Sequence, residues 1–134
     1  MNYHPLVIYF AVGALVSSYT AYFIYFTFLR SSNFAFYYAL TNHAISVVFS
    51  ILAVLTGLAV AGTQYVQQKA PFIFLFPHKW LGIALMGFTL VTFIPLWIKQ
   101  KELGRKVGIA FSFVGLGLSL AVLIFGWLLR LIFF

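Results

Sequence analysis

The sequence predicts an all-α protein, a four-helix transmembrane bundle forming a single domain over residues 1–134, and three observations carry that expectation. Hydrophobic residues make up 64% of the 134-residue chain and charged residues only 7%, whereas a water-soluble domain carries about 25% charged residues. Four apolar stretches each reach the roughly 20 residues that a helix needs to cross a ~30 Å hydrocarbon core. The basic residues stand at the ends of these stretches and not inside them, which is a membrane pattern.

Taken in order, the first stretch runs from Leu6 to Leu29 and stops at Arg30. The second runs from His43 to Gly62, opened by the histidine. The third, Trp80 to Ile98, is bounded by Lys79 and Lys99, so the span covers about 79–98. The fourth, Val107 to Leu129, is bounded by Lys106 and Arg130. The linker Thr63 to Pro77 is rich in glutamine, and its Pro-Phe-Ile-Phe-Leu-Phe-Pro stretch is expected to lie along the membrane interface. The first stretch is too long for a cleaved signal peptide and no base precedes it, so a signal peptide is not expected.

Orientation follows from the bases. Arg30, Lys99, Lys101, Arg105 and Lys106 fall on one side, and Lys69, Lys79 and Arg130 on the other. The dense cluster in the short third connection predicts a cytoplasmic position for that end, with both termini facing outward. A multi-pass protein of the cell (plasma) membrane is expected, with the lipid bilayer as its first partner. Small residues mark contact faces: Ala53, Gly57 and Ala61 on the second helix, and Gly115, Gly117 and Ser119 on the fourth.

Composition also removes whole classes of chemistry. With no cysteine there is no disulfide and no thiolate metal site. There is no Asp, and Glu102 is the only acid, so paired-carboxylate catalysis and carboxylate proton relays are excluded within one chain. A net charge of +7 does not point to nucleic acid, because the bases are scattered at helix ends and form no phosphate-binding groove. A transporter or channel is disfavoured, since no charged residue falls well within a span and Pro95 alone makes no gate.

Three histidines remain as chemical groups. His4 opens the first span, His43 the second and His78 the third. The first and third spans run in the same direction, so His4 and His78 share one membrane level and His43 lies at the other. Two imidazoles at one depth on two helices are the donor set that a six-coordinate haem iron requires. Histidines at helix starts also serve as interfacial polar residues, and spacing alone leaves both roles open.

The local sequence adds a resemblance. Tyr3-His4-Pro5-Leu6-Val7 resembles the His-Pro-Leu-Leu-Met opening of the first core helix in cytochrome b561-type proteins. His78-Lys79-Trp80-Leu81-Gly82 resembles the His-Ser-Trp-Leu-Gly opening of that family's third core helix, and His43 through Leu55-Thr56-Gly57-Leu58 is similar in style to the second. The resemblance implies four core helices around b-type haem. His4 and His78 would be axial ligands of one haem b near the outer face, and His43 would supply one ligand of a possible second. The fourth span departs from the pattern, for it holds no histidine, and Lys106 at the same level is expected to stay charged and hydrated.

One bis-histidine haem is therefore the expectation, in a subunit that serves electron transfer, linked to quinone or to neighbouring membrane subunits. Such a chain is at most the redox subunit of an oxidoreductase complex. Tyr9, Phe10, Tyr19 and Tyr22 are candidates to line a haem or quinone pocket. The alternative is a haem-free accessory subunit of a larger, respiratory-type membrane complex.

Overall fold

The computed structural model describes residues 4–63, 68 and 72–133. Its elements are α1 (His4–Thr27), α2 (Asn33–Ala61), α3 (Phe72–Lys99), a 3-10 turn (Gln100–Glu102) and α4 (Arg105–Phe133). All four helices are long and apolar enough to cross a membrane, and the protein is a four-helix transmembrane bundle. Each helix packs on its sequence neighbour, and α1 packs on α4 to close the ring. The start of α1, the end of α2, the start of α3 and the end of α4 share one end. Arg30 and the connection from α3 to α4 share the other, called here the Arg30 end.

Two boundaries differ from the sequence expectation. α2 begins at Asn33, ten residues before His43, with the Ser32 hydroxyl accepting from the Ala35 amide as an N-cap. Asn33, Thr41 and Asn42 lower the hydropathy of that segment without breaking the helix. His43 therefore does not open a span: it lies about 6 Å from the middle of α2. Phe72–Pro77, expected along the interface, forms the first turns of α3. The rest of that linker lies outside the described residues apart from Thr63 and Gln68, as does the side chain of Arg130.

Packing divides the bundle into two unlike halves. The half toward the Arg30 end encloses Tyr19, Tyr22, Tyr25, Phe26 and Phe36, all fully buried. α4 makes room for the α1 rings with a stripe of small residues, Gly108, Ser112, Gly115 and Ser119, all buried. A Cβ at Gly115 would stand 2.6 Å from carbons of the Tyr19 ring, and one at Gly108 would overlap the Phe26 ring. Ser112 and Ser119 satisfy their hydroxyls on their own helix, donating to Gly108 O and Gly115 O at 2.7 Å. Gly117 has no atom within reach of an added Cβ and is exposed, so of the expected trio only Gly115 and Ser119 face the bundle.

The Arg30 end is tied by main-chain carbonyls. Arg30 donates to Leu103 O at 3.0 Å and to Lys101 O at 3.4 Å, and its guanidinium lies over the Phe26 and Tyr25 rings. Arg105 donates to Thr27 O at 3.3 Å. Both cations thereby serve carbonyls at or beyond helix C-termini, where donors and positive charge are favourable.

In the other half, the facing residues are small or aliphatic. α1 presents Ala11, Val12 and Leu15, α2 presents Ala53, Gly57 and Ala61, and α4 presents Val122 and Gly126. A cavity of about 700 Å³ lies between them, completed by His78, Gly82, Leu85 and Met86 of α3.

Candidate functional site

The cavity is apolar over nearly all its wall. Its polar side chains are Ser50, Tyr9, His78 and Lys79. Its volume falls within the roughly 300–1,000 Å³ typical of cofactor and ligand sites. Leu15, Ser50 and Leu85 separate it from the aromatic half.

His78 is held from α4. Its Nδ1 lies 3.2 Å from Val122 O. A carbonyl only accepts, so Nδ1 carries the proton and Nε2 carries the lone pair. Histidines that ligate metals commonly have this arrangement, the far ring nitrogen donating to a backbone carbonyl to fix tautomer and orientation. Gly126, one turn beyond Val122, gives the ring its place: a Cβ there would stand 2.9 Å from Cε1 of His78.

His4 is the first residue of α1, and its side chain lies outside the described residues. Its level can still be read from the backbone. Tyr19 of α1 and Thr92 of α3 meet at 3.3 Å between hydroxyls. Fourteen residues back from Thr92 is His78, and fourteen back from Tyr19 is Pro5, the neighbour of His4. At 1.5 Å rise per residue the two histidines differ in level by only a few ångströms. α1 and α3 are the diagonal pair of the bundle, with the cavity between them.

His43 stands elsewhere and is fully buried. Its Nε2 lies 2.9 Å from Thr89 O, which places the ring proton on Nε2, and its Nδ1 lies 3.0 Å from the Tyr22 hydroxyl, which donates to it. Both ring nitrogens thus have protein partners on α3 and α1. Tyr19, Tyr22 and Phe93 surround the ring with centroids 5.2–5.6 Å away. Ser18 donates to Ala39 O at 2.8 Å beside this network. Among the described residues, Thr89 Oγ1 is the one buried side-chain polar atom without a hydrogen-bond partner.

The four aromatic candidates divide accordingly. Tyr9 lines the cavity. Tyr19 and Tyr22 belong to the polar network with His43 and Thr92. Phe10 is 59% exposed and stacks on Phe49 with centroids 5.6 Å apart, facing outward. Sequence reasoning did not find Val122, whose contribution is a main-chain carbonyl, or Gly126, whose contribution is the absence of a side chain.

Among the described residues, no group of three or more His, Cys, Asp or Glu side chains gathers in one place to hold a metal ion. No protein-family model, curated protein or solved structure matches the chain.

Proposed function

We propose that this chain is a b-type haem-binding subunit for membrane electron transfer, with one haem in the cavity beside His78. The observation that supports it most is His78 itself. This imidazole lines an apolar cavity of cofactor size, and the Val122 carbonyl fixes its tautomer with the lone pair on Nε2. The residues present suit the group. His78 would be one axial ligand, and His4, at the matching level on the diagonal helix, the other. Lys79 would meet a propionate, and Gly57, Gly82 and Gly126 keep the walls flat enough for a large planar ring.

A bound haem supplies one-electron transfer. The chain supplies the ligating imidazole, its orientation through Val122, and a dry, low-dielectric surround. In this reading His43 belongs to the scaffold, because Tyr22 and Thr89 engage both of its ring nitrogens, so one haem is assigned and a second is not. Electron transfer then serves one half of the bilayer, to quinone or to a neighbouring subunit, with the termini outward in the cell membrane and the Arg30 end cytoplasmic.

The test is the dithionite-reduced minus oxidised spectrum of the purified protein, with haem quantified per chain. About one b-type haem in the wild type, its loss in His78→Ala and its retention in His43→Phe are expected. No haem in a preparation still bound to its native partners would overturn the proposal. The haem-free accessory subunit would then be preferred, a role consistent with the closed aromatic packing of the Arg30 half.

A further inference from the structure

Independently of any haem, a groove at the Arg30 end has the chemistry of a lipid site. It is a shallow, wide-open depression on one face of the first turns of α2, formed by Asn33, Phe34, Tyr37, Tyr38 and Thr41. Phe34 is 79% exposed, and its ring stacks on that of Tyr38 with centroids 5.9 Å apart. From Asn33 to Thr41 this face extends about 12 Å along the helix axis, from the bundle end into the membrane span.

The turn after α3 places a cation beside this groove. Gln100 adopts a left-handed φ of 50°, a conformation that costs a non-glycine residue on the order of 1 kcal/mol. Its Oε1 accepts from the Tyr37 hydroxyl at 3.4 Å, and the next residue, Lys101, holds its ammonium 5.3 Å from the Tyr37 ring centroid. The strained turn and the groove wall are therefore joined at Tyr37. The same end of the bundle carries Arg30, Lys99, Arg105 and Lys106, but among the described residues Lys101 alone is seen against the Tyr37 ring, and Glu102 is the one acidic side chain in the sequence.

We propose that this groove binds one anionic phospholipid. The phosphate would be met by Lys101 and the Asn33 amide, and an acyl chain would lie along Phe34 and Tyr38. Charge complementarity selects an anionic headgroup, since five bases at this end face one acid. The direction of the groove selects a lipid over an acidic peptide, because its aromatic floor descends into the hydrocarbon layer where a hydrated peptide would lose its water.

The experiment is native mass spectrometry of the full chain released from nanodiscs of phosphatidylcholine doped with phosphatidylglycerol. The wild type is expected to retain one phosphatidylglycerol per chain. Lys101→Gln is expected to lower that retention about fivefold, Tyr37→Ala to lower it as well, and Lys106→Gln, which removes the same charge away from the groove, to leave it near wild type. Tyr37→Phe keeps the ring and serves if Tyr37→Ala does not fold; its retention should stay above that of Lys101→Gln. Equal retention of both lipids, or equal losses in Lys101→Gln and Lys106→Gln, would overturn the proposal. Co-purification of an acidic polypeptide that excludes lipid from the groove would overturn it too.

Discussion

Gly126 of α4 lies directly against the imidazole of His78, with no room for a methyl group between them: a Cβ at Gly126 would approach Cε1 to 2.9 Å and Nδ1 to 3.3 Å. The nearby Val122 carbonyl, on the same helix, receives the Nδ1 proton. The fourth helix carries no histidine, yet it determines how the third helix presents one.

Gly126→Ala should accordingly separate stability from ligation. Helix propensity favours Ala by about 1 kcal/mol, and crowding the ring costs about 1–3 kcal/mol, so the melting temperature should move little. The imidazole, however, has to shift from its carbonyl. If the proposed haem is bound, its content should fall, or its low-spin electron paramagnetic resonance signal should change its g-values, against an unchanged helical circular dichroism spectrum. A wild-type spectrum in this variant would show that His78 is not held as described.

Under the proposed function, the two histidines whose side chains are described, His78 and His43, should respond in opposite ways. His78→Ala should abolish the haem signal while the bundle persists. Tyr22→Phe should leave the haem and destabilise the fold by about 1 kcal/mol, the scale of one hydrogen bond within a membrane bundle. His43→Leu strands the Tyr22 hydroxyl as well and should cost about 2–3 kcal/mol. Denaturant titration in mixed micelles measures the losses. A fall in haem content in His43→Leu at unchanged stability would restore His43 as a ligand.

Gly115 and Gly117 offer a contrast two residues apart. Gly115→Ala drives a methyl into the fully buried Tyr19 ring, and even after the helix-propensity gain it should destabilise by about 1–2 kcal/mol. Gly117→Ala meets open space and should be neutral or stabilising by up to about 1 kcal/mol. Thermal melts in detergent read both. A same-sign result would remove the steric account of the α1–α4 seam.

Thr89 and Thr92 make a second contrast. Thr89→Val removes a buried hydroxyl without a partner while leaving the carbonyl that His43 uses, so it should stabilise by about 1 kcal/mol. Thr92→Val removes the partner of the Tyr19 hydroxyl and should destabilise by about the same amount. The same melts decide this pair.

Much of the architecture was legible because hydropathy is additive along a chain. Spans one, three and four were placed to within a few residues at most boundaries. The start of α2 was missed by ten residues, since Asn33, Thr41 and Asn42 dilute a hydropathy window but do not break a helix, and the Ser32 cap that marks the true start is a local signal. That error moved His43 from mid-helix to a helix start, and with it the sense of what the residue could do.

Side-chain partnerships were less legible. The Tyr22–His43 and Tyr19–Thr92 pairs join residues on separate helices, and only the relative level of those helices decides that they meet. Gly117 was grouped with Gly115 by proximity in sequence, although two residues turn an α-helix by about 200° and carry it to the opposite face. The level shared by His4 and His78 needed only the alternation of spans, and the diagonal backbone levels agree with it.

The seam between α1 and α4 has a mechanical consequence. Tyr19 and Phe26 are seven residues apart, and so are the glycines that receive them, Gly115 and Gly108. Sliding α1 past α4 by a single helical turn would drive each ring against a serine or beyond the end of the stripe, and only a two-turn step brings a ring over a glycine again. The seam therefore acts as a ratchet with widely separated teeth. Sliding of α1 along α4 is thus resisted more strongly than a tilt of the two helices together.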